Sequence, residues 1–309
     1  MIEVAQLRKE YGDLVAVDSV SFTAETGAIF GLLGPNGAGK TTTIGCISGL
    51  LEPTAGTVRV RGHDVVREGT RAKASLGVVP QEIALYEDLS ARENVRFWGQ
   101  AYGLGGSVLR ARVTDVLEIT GLLDRAGDRV DQFSGGMKRR LNFACGIVHE
   151  PQVLLLDEPT VGVDPQSRVR LLDLVREQAN QGVCVLYTTH YMEEAQSLCD
   201  RLAIIDHGHI IAQGSLDELQ AQMGERDLVR ISGSFEENEL RRAFSRDEDV
   251  EVVTVDDAQA TLSVRQASSK LPTLLAALTR ADSEVRDITV SQPSLESLFI
   301  KLTGKELRE

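Results

Sequence analysis

No stretch of this 309-residue chain approaches the ~20 consecutive apolar residues that a membrane-spanning helix needs. If the protein works at a membrane, another chain does the spanning. Basic residues are also short. Lys and Arg number 33 against 46 Asp and Glu, and the net charge of −13 argues against a nucleic-acid surface. The one local basic cluster, Lys138-Arg139-Arg140, reads as a solvated helix face. Cysteine is scarce as well. The four thiols, Cys46, Cys145, Cys184 and Cys199, form no CxxC pair and no zinc spacing. They read as reduced, packed thiols, with a disulfide as the lesser alternative. Met1-Ile-Glu-Val-Ala-Gln6 lacks the basic region and apolar core of a signal peptide. What remains, 42% hydrophobic and 26% charged, is the composition of an ordinary soluble globular protein. The length suits one large domain plus a small one.

The densest chemistry begins at residue 28. The apolar run Ala28-Ile-Phe-Gly-Leu-Leu33 enters Gly34, Pro35, Asn36, Gly37, Ala38, Gly39, Lys40, Thr41 and Thr42. This stretch fits the phosphate-loop pattern G-x-x-x-x-G-K-[ST] at every defined position. Its glycines let successive backbone N–H groups curl around phosphate oxygens with no Cβ in the way. Lys40 supplies a point charge for β- and γ-phosphates, and the Thr41 hydroxyl is placed to ligate Mg²⁺. Ile44, Ile47 and Leu50 follow at helical spacing, predicting a helix over 41–50 whose N-terminus faces the phosphates. A plain glycine-rich turn is the bland alternative, and the full match between strand and helix speaks against it.

Strands and helices alternate along much of the rest of the chain. Strands are expected at 2–7, 15–24, 28–33 and 56–64, and Leu76-Gly-Val-Val-Pro-Gln81-Glu82 reads as a short buried strand ending in a polar residue. Lys9-Glu-Tyr11-Gly-Asp13 reads as a turn presenting an aromatic. Ser90-Ala-Arg-Glu93 is a capping box opening a helix to about Tyr102, and a second helix covers roughly 108–119. Ser134 is the N-cap expected for a helix with Leu141, Ala144, Cys145 and Val148 on one face. Val153–Asp157 and Val183–His190 are continuous apolar strands, with helices over 165–178 and 191–200 and a closing strand pair at 201–206 and 209–213. Strands buried on both faces and alternating with helices predict a parallel-sheet α/β core. A second capping box, Ser215-Leu-Asp-Glu218, starts a helix that stops near Gly224. Beyond it the order β-α-β-β-α-β plus a closing helix suggests a ferredoxin-like domain. The expected division is 1–220 and 221–309.

Three strand ends carry candidate chemistry. Asp157 ends an apolar strand, the usual place for a metal-coordinating acid opposite a phosphate loop. Glu158 beside it can orient and deprotonate an attacking water. His190, at another strand end, is placed to contact the γ-phosphate. Tyr11 offers a ring for adenine stacking, although a lone tyrosine there is more often surface packing.

Together with Gln81, Phe133-Ser-Gly-Gly-Met137 and Val161-Gly-Val-Asp164, these motifs stand in one order. In that order the chain resembles the ATP-binding-cassette ATPases over about residues 2–214. The resemblance implies a P-loop NTPase fold with a mainly parallel core sheet, an antiparallel β part and a helical subdomain. It implies that Tyr11 stacks on adenine, that Gln81 reaches Mg²⁺ and senses the γ-phosphate, and that Glu158 is the general base. His190 would be the switch histidine and Asp164 would cross a dimer interface. Ser134, Gly135 and Gly136 would contact the ATP of the opposite subunit. Glycine amides capped by Ser134 at a helix start are an anion site in their own right. Two departures stand out. Met137 replaces the commoner glutamine, and Val161 a commoner serine. Tyr86–Asn94, Thr189–Ala195 and Pro293–Gly304 are similar to the drug-resistance exporter subgroup of the daunorubicin type, where a separate membrane subunit forms the pathway.

The expectation is therefore a homodimeric, Mg²⁺-dependent ATPase subunit on the cytoplasmic face of the membrane, serving a separate permease. A second class stays open: a soluble cassette ATPase acting on nucleic acid or ribosomes. The acidic balance and single cassette favour the first. A nucleotide-dependent regulator without turnover is a third, and Glu158 with His190 argues against it.

Overall fold

The computed structural model describes residues 1–223, 226–245, 247–256, 258–280, 284–291 and 294–303. The chain divides into two compact units, Met1–Gln213 and Gly214–Glu309. The division precedes the expected one, so the helix at Leu216–Met223 falls in the second unit.

In the first unit β1 (Ile2–Tyr11) and β2 (Leu14–Ala24) form an antiparallel hairpin. Both run longer than expected, so Tyr11 ends a strand and the turn shrinks to Gly12-Asp13. The wholly buried β3 (Ile29–Leu33) feeds the phosphate loop, and α1 (Lys40–Ile47) follows. This helix stops before Leu50. The amides of Gly49 and Leu50 turn back to the carbonyls of Cys46 and Gly45, leaving Leu50 77% exposed and off the expected apolar face. The strand expected at 56–64 is a hairpin, β4 (Ala55–Val60) and β5 (His63–Asp64). Arg61 and Gly62 fold it, with φ of 52° and 80°, the pair of positive values a tight hairpin turn requires.

Next come α2 (Gly69–Ala74), a short helix not expected from its residues, β6 (Leu76–Val79), α3 (Ala91–Ala101) and α4 (Gly106–Ile119). Then α5 (Gly135–Ile147), β7 (Val153–Asp157), α6 (Pro165–Asn180), β8 (Cys184–Thr189), α7 (Met192–Leu198), β9 (Arg201–Asp206) and β10 (His209–Gly214) complete the unit. The α3 capping box is complete, Ser90 and Glu93 each accepting from the other's backbone amide.

Two sheets result, β2-β1-β4-β5 and β10-β9-β3-β8-β7-β6. In the second, β9, β3, β8, β7 and β6 run parallel. Side-chain alternation divides each central strand between two cores. Val153, Leu155, Cys184 and Leu186 face the antiparallel sheet and α1. Leu154, Leu156, Val185 and Tyr187 face the helices α3 to α6. The register pairs Leu33 with Thr189 and Asp157 with Thr188, so β3, β7 and β8 end along one edge. The phosphate loop, Glu158 and His190 leave the sheet side by side there.

The second unit contains α8 (Leu216–Met223), β11 (Arg226–Ser234), α9 (Glu237–Phe244), β12 (Val250–Val255) and β13 (Gln259–Arg265). It closes with α10 (Ala267–Arg280), β14 (Glu284–Ser291) and α11 (Leu295–Thr303). Its sheet, β12-β13-β11-β14, is antiparallel throughout. That order is ferredoxin-like. Leu274 and Leu278 of α10 enter its core, whereas Leu275 is 42% exposed. Leu295, Leu298 and Phe299 of α11 are buried while Leu302 at its end is 44% exposed, the helix lies against α8, and Glu296 meets Arg230 of β11 at 2.7 Å. Gly224, Pro293 and Gly304, which bounded sequence expectations, lie outside the described residues.

Candidate nucleotide site

Close backbone contact explains the phosphate loop's shape. Gly39 sits at φ 104°, and a Cβ there would stand 2.6 Å from the Ala16 carbonyl oxygen. Only glycine fits that turn. Gly39 is also the N-cap of α1 and supplies no side-chain cap, which leaves the first helical amides to another acceptor. Lys40 is buried, its Nζ donating to the carbonyls of Gly34 at 2.7 Å and Pro35 at 2.9 Å. The same ammonium lies 2.9 Å from Glu158 Oε1. Thr41 is exposed at the loop's end.

Thr188 organises the acids. Its hydroxyl donates to Asp157 Oδ1 at 2.7 Å and accepts from the Glu158 amide at 2.9 Å. Glu158 has φ 43°, a left-handed conformation that non-glycine residues rarely adopt and that costs ~1–3 kcal/mol. The Thr188 contacts and the Val161 amide, which donates to the Glu158 carbonyl at 3.3 Å, hold it there. Both carboxylate oxygens have partners. Oε1 faces Lys40, and Oε2 accepts from His190 Nδ1 at 3.0 Å. The sequence singled out all three residues, but the direct Lys40–Glu158 contact was not foreseen.

Behind His190 lies a buried acid that the sequence reading missed. Glu194 Oε2 accepts from the Tyr187 phenol at 2.8 Å and the Thr189 hydroxyl at 3.0 Å. Burial, and then this neighbouring carboxylate, push the Tyr187 phenol well above its ordinary range. Arg168 lies over the Tyr191 ring at 4.6 Å. Polar Tyr187 and Thr189 within an otherwise apolar strand were the available signal.

The basic triplet is not a solvated face. Arg139 is 6% exposed, Arg140 donates to the Thr120 carbonyl at 2.7 Å, and Lys138 pairs with Glu87 at 2.5 Å. Arg139 reaches the carbonyls of Pro80, Gln81 and Val161 at 3.3, 2.7 and 3.2 Å. Asn142, one turn on, holds the Ala84 amide and the Pro80 carbonyl. The loop carrying the exposed Gln81 is thus fastened to α5.

Ser134 caps α5 by accepting from the Met137 amide at 3.3 Å, as expected. Asp164 caps α6, accepting from the Ser167 amide at 2.9 Å, and that bond holds its carboxyl below the usual range. The two helix starts are adjacent. A Cβ on Gly136 would lie 2.2 Å from Ser167 Oγ and 3.0 Å from Asp164 Oδ2. Among the described residues, no hydrogen bond or ion pair links Ser134, Gly135, Gly136 or Asp164 to the phosphate loop. Tyr11 likewise stands apart, 45% exposed with Lys9 Nζ 5.2 Å from its ring centre.

Residues 17–161 match the family model described as ABC transporter, and residues 214–303 match that of the DrrA1-3-like ATP-binding protein C-terminal domain. The linearmycin resistance ATP-binding protein LnrL of Bacillus subtilis is 42% identical, with 100% of each chain covered. The chain belongs to the ABC transporter family. Further relatives of this cassette cover its full length. The daunorubicin resistance ATP-binding protein DrrA3 of Streptomyces coeruleorubidus is 40% identical over 99% of this chain and 97% of that one. The Nod factor export ATP-binding protein I of Paraburkholderia xenovorans is 38% identical over 100% and 98%. Among solved structures, an ATP-binding subunit of an ABC transporter superposes with TM-score 0.67 at 32% identity, covering 72% of this chain and 93% of that one. The cassette MJ0796, a post-hydrolysis dimer with ADP and phosphate, gives TM-score 0.64 at 25% identity, covering 70% and 99%. The protein is an ATP-binding, ATP-hydrolysing transporter subunit with a P-loop NTPase fold.

Proposed function

We propose that this cassette powers export through a separate membrane-spanning subunit, closing as a homodimer over ATP at the cytoplasmic face of the membrane. The carrying observation is Glu158, held 2.9 Å from Lys40 and 3.0 Å from His190 at adjoining strand ends. The amides of Gly34–Thr42 and the Lys40 ammonium hold the β- and γ-phosphates. Hard oxygen donors suit Mg²⁺. The exposed Thr41 hydroxyl and Asp157, whose Oδ1 already faces the Thr188 hydroxyl, fit such an ion, with Gln81 reaching toward it. Glu158 takes the proton of the attacking water, and His190 orients Glu158 and the γ-phosphate. Tyr11 stacks on adenine.

Ser134, Gly135, Gly136 and Asp164 lie together and apart from their own phosphate loop, which supports their use on the ATP of a second copy. The names of the relatives support export over a soluble role on nucleic acid or ribosomes. Among the described residues no helix is long and apolar enough to cross a membrane. The exposed Tyr86 and Phe97 rings, 4.8 Å apart, form the proposed docking surface for the membrane subunit. Asn94 joins this surface to the Gln81 loop by accepting from the Tyr86 amide at 2.8 Å.

Size-exclusion chromatography of Glu158→Gln with ATP tests the closure, and an ATP-dependent dimer is expected. A variant that stays monomeric with ATP bound would sink it. For docking, crosslinking from the exposed Arg92 and Arg96 should capture a co-expressed membrane subunit. Failure from both positions rejects that surface.

A further inference from the structure

Buried arginines normally pair with a carboxylate. Arg139 does not. It is 6% exposed, and among the described residues no carboxylate pairs with it, the Tyr187 phenol alone offsetting the effect of burial on its charge. Its guanidinium is spent on three backbone carbonyls from two loops. Those of Pro80 and Gln81 belong to the loop after β6, and that of Val161 belongs to the loop after β7. Arg139 itself sits on α5, the helix that Ser134 caps.

This placement joins parts far apart in sequence. Val161 donates its amide to the Glu158 carbonyl, and the Val161 loop runs on to Asp164 at the head of α6. Asn142 already anchors the Gln81 loop to α5, so Arg139 is not needed merely to hold that loop. What Arg139 adds is the second loop. A planar guanidinium with five donors can bridge two loops at fixed geometry, whereas an ammonium is a single point charge. Bonds from a charged donor to carbonyls are also stronger than neutral ones.

We propose that Arg139 is a positioning residue that locks the Gln81 loop to the Glu158–Asp164 loop, so that γ-phosphate sensing and assembly of the second copy's site occur as one step. The proposal rests on the roles assigned above to Gln81, Glu158 and Asp164. Arg139 touches no nucleotide-binding group of the phosphate loop, so its loss acts on turnover and closure and spares the first binding event.

The test uses the full chain with ATP and Mg²⁺. Arg139→Ala and Arg139→Lys are compared for ATP affinity, kcat and, in the Glu158→Gln background, the ATP concentration at half-dimerisation. ATP affinity of the monomer should stay within about twofold. For both variants kcat should fall about tenfold or more, and half-dimerisation should need about tenfold more ATP. Lysine keeps the charge and the helix, so a folded Arg139→Lys with wild-type kcat and closure overturns the proposal even where Arg139→Ala fails to fold. A double-mutant cycle supplies the readout that simple packing would not move. Arg139→Lys added to Gln81→Ala should cost little more than Gln81→Ala alone, whereas multiplied losses would mean that Arg139 acts independently. Glu158→Gln with Arg139 intact is the control for the parent reading. Its failure to dimerise removes both readings, while its success with unaffected Arg139 variants removes this one alone.

Discussion

Glu158 has two positively polarised neighbours and one job. Phosphate arriving in the loop must draw Lys40 away from the Glu158 carboxylate, since one ammonium serves both. Glu158→Gln removes that competitor along with the base. Turnover should fall by ~10²–10⁴, while equilibrium titration should find ATP binding at least as tight as in the parent. Weaker binding in Glu158→Gln would mean that Lys40 and Glu158 cooperate on the nucleotide. Lys40→Ala should lose most ATP affinity, and it also strands a buried carboxylate, a change that typically costs ~3–5 kcal/mol. Denaturant melts will register that loss without nucleotide. Asp157, Glu158 and His190 were legible because each stands at the end of a buried strand, where few other roles suit a polar residue, and Lys40 because the glycine pattern before it has no other common use. Arg139 was not. A charged triplet on a helix reads as surface until the carbonyls waiting behind it are known.

Among the elements, the junction of α5 with β6 carries a titrating group. His149 stacks on Tyr102 with ring centres 3.5 Å apart, and its Nε2 donates to the Leu76 carbonyl at 2.9 Å. Nδ1 is buried without a partner, so a second proton there would find no acceptor. Burial first, and then Arg112, hold the pKa below the ordinary 6.5, outweighing the Leu76 bond. The unfolded chain therefore binds more protons between the depressed value and 6.5, and stability drops as pH falls through that window. Urea midpoints measured from about pH 7.5 to about pH 5 should decline more steeply in the parent than in His149→Gln. Equal slopes would remove His149 from the acid response. The strands β7 and β8 were readable because burial on both faces leaves no polar alternation. The β4–β5 hairpin was not, since Arg61 carries no mark of a positive φ and only Gly62 hints at it. The capping boxes at Ser90 and Ser215 fixed two helix starts because side chain and backbone satisfy each other locally.

For the whole molecule, the division after Gln213 assigns every nucleotide motif to the first unit. Both hydrophobic cores of the first unit are built from its own residues, so it has what a separately folding cassette needs. A chain ending at Gln213 should bind ATP with affinity within a few-fold of the full length, and we expect the loss in dimerisation instead. Isothermal titration of the truncated chain decides this, because a folded cassette that no longer binds ATP would assign the second unit a direct part in the site. Sequence revealed the order of the second unit's elements and most of the first's, missing α2 and the split of β4 from β5, while the expected division at 220 falls seven residues beyond Gln213 because a capping box followed by a helix looks the same on either side of a border. The thiols offer a way to time the first unit's opening. Cys46, Cys145, Cys184 and Cys199 are unbonded, the first three are buried, and burial raises the pKa of all four. A thiol that is both shielded and protonated is nearly inert toward alkylating reagents. Cys46, Cys145 and Cys184 should thus stay silent to a maleimide dye in the folded chain, with Cys199 slowed by its raised pKa, and each molecule that opens should take up several labels in a burst. Since all four precede Gln213, labelling becomes a stopwatch for the cassette alone, and a cysteine introduced on its surface can carry a probe without any native thiol being removed.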